Sequence, residues 1–239
     1  MNQDKKFILI TVTVLAIAVI GVMVVTLFMS DNQSKKDAIR FKEEYTALNE
    51  TVNEKNSKTY PTVEIDDLNP FVYKTEEEII NILENGNGII YFGFSTCPWC
   101  RYGVNILSKS AINTGISEII YLDIKNMRSS LELDENDHVV VKKDGSEFYK
   151  KLLQILDSEL EDYYLTNEDG EKIKTNEKRI YAPTVITVKE GKIENIHVGT
   201  TESHTDGYRE MTKEEQEELF KIYTNMFKRH IDEYCDEAC

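Results

Sequence analysis

The sequence predicts an α/β domain, a central mixed sheet flanked by helices, carried on an N-terminal transmembrane helix. Three observations predict it. Residues 7–29 form a run of 23 residues with no charge and no proline. Residues 89–94, 98–112 and 119–122 read as buried strand, helix and buried strand, which implies a parallel strand pair joined by a crossover helix. Residues 184–188 and 193–198 read as strands around Glu190-Gly191, followed by an amphipathic helix, so the chain closes on an antiparallel pair and a helix.

At about 1.5 Å per residue, Phe7 to Met29 reaches about 35 Å, enough to cross a bilayer with some tilt. A secretory h-region is shorter, no small-x-small cleavage site follows, and no cysteine is placed for a lipid anchor. Residues 1–30 are therefore expected to be an uncleaved signal anchor. The flanking charges do not decide orientation, since Lys5 and Lys6 precede the run and Lys35, Lys36, Arg40 and Lys42 follow it. The short N-terminal flank and the paired cysteines of the large C-terminal part favour a single-pass cell-membrane protein with its domain outside the cytoplasm. Residues 31–60 are polar and read as a spacer, with Ile39 and Leu48 too sparse for a core stripe. Residues 61–239 form the domain.

The chain's net charge is -15, and beyond residue 30 it carries 26 basic and 42 acidic residues, a difference of -16. That balance excludes nucleic acid as a partner and disfavours lying flat on an anionic membrane. Within the domain, Val63–Ile65 and Phe71–Tyr73 are short strand candidates. Thr75-Glu76-Glu77-Glu78 is a capping box that opens a helix through Ile79, Ile82 and Leu83, and Gly86 suits its end. Residues 124–165 read as an insertion with a short strand at 139–141 and a helix from Ser146 to Leu160. Asp169-Gly170 turns a hairpin between Tyr164 and Ile173. Thr212-Lys213-Glu214-Glu215 opens the last helix.

Four cysteines fall in two local pairs, Cys97 with Cys100 and Cys235 with Cys239. Cys97-Pro98-Trp99-Cys100 lies directly after an apolar strand and at a helix start. Positions i and i+3 share a helix face, close enough for a disulfide. Unpaired N–H groups and the helix dipole there favour a thiolate at Cys97, which makes it the nucleophile and Cys100 the resolving thiol. Arg101 could add positive charge, and Trp99 should be exposed as a packing surface for a substrate. A metal site would need two further ligands, and the four histidines show no ligand spacing, so neither a metal nor a cofactor is expected. Residues 133–145 resemble a calcium loop loosely but lack its glycine and its last glutamate. Cys235 and Cys239, at spacing i, i+4, suggest a second disulfide, either a small exposed closure or a relay to the first pair.

The segment Phe92-Gly93-Phe94-Ser95-Thr96-Cys97-Pro98-Trp99-Cys100 resembles the active-site segment of the thioredoxin superfamily, in its glutaredoxin-like Cys-Pro-aromatic-Cys form. Tyr181-Ala182-Pro183-Thr184 looks like that family's cis-proline loop, and Val198-Gly199 like its strand end before the last helix. The likeness covers residues 70–230. With its tether, the chain is most similar to bacteriocin-transport-accessory-type thioredoxins of Gram-positive bacteria. The resemblance implies a thioredoxin-like fold, with Ala182 and a cis Pro183 facing the cysteines and binding substrate backbone. It implies an oxidoreductase for protein or peptide thiols and disulfides, recharged by a membrane redox partner. The competing expectation is a non-enzymatic accessory module for an exported peptide or its transporter. One departure stands out. Thioredoxins carry a buried aspartate six residues before the first cysteine, where this chain has Tyr91.

Overall fold

The computed structural model of the chain describes the backbone of residues 3–238 and the side-chain surroundings of residues 11–25 and 29–231. Helix α1 (Gln3–Thr46) is followed by a small hairpin, β1 (Val52–Asn53) and β2 (Lys58–Thr59). Then come β3 (Phe71–Val72), α2 (Glu76–Asn85), β4 (Gly88–Gly93), α3 (Pro98–Thr114) and β5 (Ile119–Asp123). A second hairpin, β6 (Ser130–Leu133) and β7 (Val139–Lys143), leads to α4 (Glu147–Ile155), and a third pairs β8 (Asp162–Thr166) with β9 (Lys172–Lys178). The chain closes with β10 (Thr184–Lys189), β11 (Lys192–Val198) and α5 (Lys213–Ala238).

Five strands form one mixed sheet in the order β11-β10-β4-β5-β3. β4 and β3 both run parallel to β5, and β10 runs antiparallel to β4 and to β11. The apolar run of β4 is explained by this place. It lies between two neighbours and has helices on both faces, so both sets of alternating side chains are buried. Ile89 and Tyr91 face a core shared with α1, α3 and α5, and Ile90 and Phe92 face a core filled by α2 and α4. The capping box at Thr75 is present, with its side chain and that of Glu78 exchanging hydrogen bonds with each other's backbone. The segment read as an insertion supplies α4, whose Phe148, Tyr149 and Leu152 belong to the second core. It is therefore part of the domain's packing rather than an appendage. Val63–Ile65 forms no strand, but Val63 and Ile65 are buried in the first core.

The expected spacer at 31–60 is corrected by α1. The helix does not end at the membrane-type run but continues to Thr46, and its last turns are built into the domain. Ala38, Phe41 and Tyr45, spaced i, i+3 and i+7, make the core stripe that Ile39 and Leu48 do not. The Phe41 ring stacks on Phe71 at 3.9 Å between centroids and meets Tyr121 edge-on at 4.8 Å. The buried Asp37 carboxylate accepts the Tyr73 N–H at 3.1 Å, and Asn69 Nδ2 donates to the Ala38 carbonyl at 2.8 Å. Thus α1 covers the edge strand β3, which would otherwise present unpaired backbone. The apolar part of the same helix is long and apolar enough to cross a membrane, with a mean hydropathy of 2.8 over its window and none of that window buried against the domain.

Phe41→Ala should cost about 3–5 kcal/mol of stability by opening this core. Ile39→Ala, two residues away on the exposed face, should stay within about 0.5 kcal/mol. Denaturant unfolding of both variants checks the pair, and equal effects would restore the spacer reading.

Candidate functional site

The site is built where β4 hands over to α3. Cys97 is the N-cap of α3 in an extended conformation, and Pro98 occupies the first turn, where its missing N–H costs nothing. Cys97 Sγ accepts the backbone N–H of Cys100 at 3.3 Å. Both cysteines are thiols, Cys97 4 % exposed and Cys100 fully buried. Across from them the Ala182–Pro183 peptide bond is cis, as expected, and the Cys97 thiol donates to the Ala182 carbonyl at 3.3 Å. The structure therefore brings together Cys97, Cys100, Ala182 and Pro183 from two distant stretches of the chain.

The two thiols have been driven apart electrostatically. Burial opposes ionisation of Cys97, but the Cys100 thiol, the backbone N–H groups of Cys100 and Trp99, and the positive charge of Arg128 outweigh it. The Cys97 thiol is held below its ordinary range. Burial, the hydrogen bond to Cys97 and repulsion from its charge push Cys100 well up. One thiol is eased toward the thiolate while the other is held protonated.

Tyr91 stands where the aspartate was expected, buried in the same core as Cys100, and its hydroxyl eases ionisation of the Cys100 thiol against the burial that opposes it. Tyr45 from α1 lies 2.9 Å from the same hydroxyl. The two phenols share a hydrogen bond in which either hydroxyl can donate, and they link the first helix to the core around the buried Cys100 thiol. Burial holds both phenols well above their usual range, so they serve as donors rather than bases. Gly93 makes room for this, because a Cβ there would stand 2.5 Å from the Tyr91 ring.

Arg101 does not act on the cysteines as expected. It is buried and its donors are spent elsewhere: Nε on Pro61 O at 2.6 Å, Nη1 on Tyr45 O at 2.7 Å and Ser95 O at 3.2 Å, and Nη2 on Asn49 Oδ1 at 2.6 Å. It fastens the end of α1 and the following loop to α3. The cation facing Cys97 is instead Arg128, from the loop after β5. Trp99 is half open, 37 % exposed. Its ring rests on Gly207, where a Cβ would approach to 2.7 Å. That loop is held by His204, bonded to Thr200 and to Arg209 O, and by the paired Arg209 and Glu215. Tyr181, beside the cis bond, is partly exposed and meets Tyr163 edge-on. No group of three or more His, Cys, Asp or Glu side chains is placed to hold a metal among the described residues. Cys239 and the side chain of Cys235 lie outside the described residues. Near the end of the described side chains, His230 lies 2.8 Å from Glu194 of β11.

Tyr45 and Arg128 were not marked in the sequence. Tyr45 had a signal in its helical spacing from Phe41. Arg128 had none, since it reaches Cys97 only through the loop's tertiary placement. No protein-family model and no curated protein matches the chain.

Tyr91→Phe takes away the hydroxyl that eases Cys100 ionisation, an effect of about 1 kcal/mol for one hydrogen-bond donor. Attack by Cys97 should be little changed, while the mixed disulfide formed with a model substrate should persist about five-fold longer. Rapid-quench measurement of that lifetime checks this, and an unchanged lifetime would remove Tyr91 from the resolving step.

Proposed function

We propose that the chain is a thiol–disulfide oxidoreductase with a thioredoxin-like domain, anchored in the membrane by residues 7–29 and acting outside the cytoplasm on protein or peptide substrates. The observation that carries this reading is the placement of Cys97 Sγ at the start of α3, on the Cys100 N–H and 3.3 Å from Ala182 O of the cis loop. A structural staple needs neither a depressed thiol nor a cis-proline loop facing it. The mixed sheet flanked by helices, and the closing order of strand, strand and helix, support the thioredoxin-like assignment. The apolar first part of α1 supports the anchor. The paired cysteines favour the outer, oxidising side.

In the reducing direction, the Cys97 thiolate attacks one sulfur of a substrate disulfide. The S–S bond breaks, a Cys97–substrate disulfide forms, and the leaving sulfur departs as a thiolate that takes a proton. With the Cys97 charge consumed, the main repulsion holding Cys100 protonated disappears. Cys100 loses its proton, helped by the Tyr91 hydroxyl, and its thiolate attacks Cys97. The second substrate thiol is released and Cys97–Cys100 is left as a disulfide. Each cycle transfers two electrons to the substrate, and the reverse sequence oxidises a substrate dithiol. Ala182 and Pro183 are placed to bind the substrate backbone beside the reacting sulfur, and the exposed part of Trp99 to pack on it. A membrane redox partner would return the pair to its starting state.

Insulin reduction and dithiol oxidation by the full-length protein test this. Cys97→Ser should abolish turnover in both assays, whereas Cys100→Ser should still attack and accumulate mixed disulfides. Turnover of Cys97→Ser equal to that of the wild type would end the enzyme reading and favour the accessory-module alternative.

A further inference from the structure

A cavity of about 460 Å³ opens beside the redox motif, with Phe94 and Thr96 in its wall. Five cations converge on it: Lys55, Lys125, Arg128, Lys143 and Arg179. Its lining holds no Asp or Glu, although the chain has 43 acidic residues against 28 basic ones. None of the five makes an ion pair among the described residues. Lys143 Nζ donates to the Asn126 carbonyl, and Arg179 Nη2 lies 3.5 Å from Ser129 O. Of the acids next to the lining residues, Glu177 is engaged by Ser129 and Asp123 by the Lys125 N–H. The Arg128 guanidinium stacks over Phe94 at 4.9 Å, and its Nε is buried with no hydrogen-bond partner. Burial, and then the charge of Arg179, push its pKa down. Two half-buried, mutually repelling arginines with an orphaned donor make an unfavourable arrangement in the free protein.

We propose that this cavity is a substrate subsite for the acidic stretch of a disulfide-bearing polypeptide, binding carboxylates next to the cysteine that Cys97 attacks. Carboxylates would satisfy Arg128 Nε and the uncompensated charges together. The volume is in the range of ligand pockets, and the cations are spread around its wall, which suits several carboxylates on a chain better than one small anion. Phe94 and Thr96 join it directly to Cys97, so a peptide held there as a mixed disulfide could extend into it. The acidic remainder of the surface would repel such a peptide elsewhere, which makes the pocket a device for position as well as affinity.

This inference rests on the thiol-exchange reading, and the experiment separates the two. The full-length protein in neutral detergent is reacted with two disulfide-bonded peptides, identical except for Asp and Glu or Asn and Gln beside the cysteine, and with hydroxyethyl disulfide as a neutral reference. At low ionic strength the acidic peptide should react about tenfold faster than its neutral twin. The ratio should approach one near 1 M salt, where screening acts within about 3 Å. Lys55→Gln with Lys125→Gln should lower the ratio several-fold. Both lysines are exposed, so this variant tests the subsite without disturbing Arg128 beside Cys97. Equal peptide rates, with hydroxyethyl disulfide still reacting, would overturn the subsite and leave the exchange reading standing. Loss of the acidic peptide's advantage to micromolar inorganic phosphate would overturn it too, in favour of a small-anion site. No reaction with any of the three would overturn the exchange reading itself.

Discussion

The hydrogen bond from the Cys100 N–H to Cys97 Sγ is the constraint on which the site depends. It makes a sulfur the cap of α3, and so sets the free N–H groups at the start of that helix to favour the thiolate of Cys97. Everything nearby keeps that sulfur in place. Pro98 starts the helix, β4 delivers the chain between two neighbouring strands, and Ala182 O faces the thiol from the cis loop. The same bond sets the inequality of the two cysteines. Charge gathered on Cys97 is charge that Cys100, one turn deeper and fully buried, cannot also carry.

That inequality raises the question of how Cys100 becomes reactive without a carboxylate at position 91. In the proposed cycle the answer is one of sequence in time. Cys100 is held protonated chiefly by burial and by Cys97, and the second influence would end once Cys97 entered a mixed disulfide. A phenol donor would suffice from that point, because it would have to stabilise a thiolate rather than remove a proton by itself. The cost of the arrangement is aromatic bulk under the sheet. It is met by Gly93, by the Tyr91–Tyr121 stacking at 5.6 Å, and by Tyr45 reaching in from α1. Because Arg101 fixes the same end of α1, the helix that leaves the apolar segment is joined to the helix of Cys100 without a flexible linker.

Much of this was legible in the sequence wherever local chemistry decided the outcome. The capping boxes at Thr75 and Thr212, the turn at Glu190-Gly191 and the doubly buried run of β4 each carry their instruction within a few residues, and each forms as read. Cys97 and Cys100 were legible from their spacing at a helix start, and the cis Pro183 from the resemblance of its loop to a family's cis-proline loop. What failed was long-range. Residues 31–60 look polar on average, and three apolar residues on one helix face were outvoted by the charges on the other. Arg101 looked electrostatic because it adjoins Cys100, yet a helix turns each successive residue by about 100°, which points it into the loop at 45–63. Arg128 had no local signal at all, since only the fold brings the loop after β5 to the cap of α3.

The central claim is that the fold makes Cys97 an ionised nucleophile while Cys100 remains a thiol. The most direct measurement is the pH dependence of alkylation of the reduced full-length protein, with the site of modification read by peptide mass. The account predicts a single titration of Cys97 below the ordinary thiol value of about 8.5, shifted toward that value in Arg128→Gln. It also predicts that Cys100 stays unmodified across the neutral range. Titration of Cys97 at or above the ordinary value, or modification of Cys100 first, would contradict it.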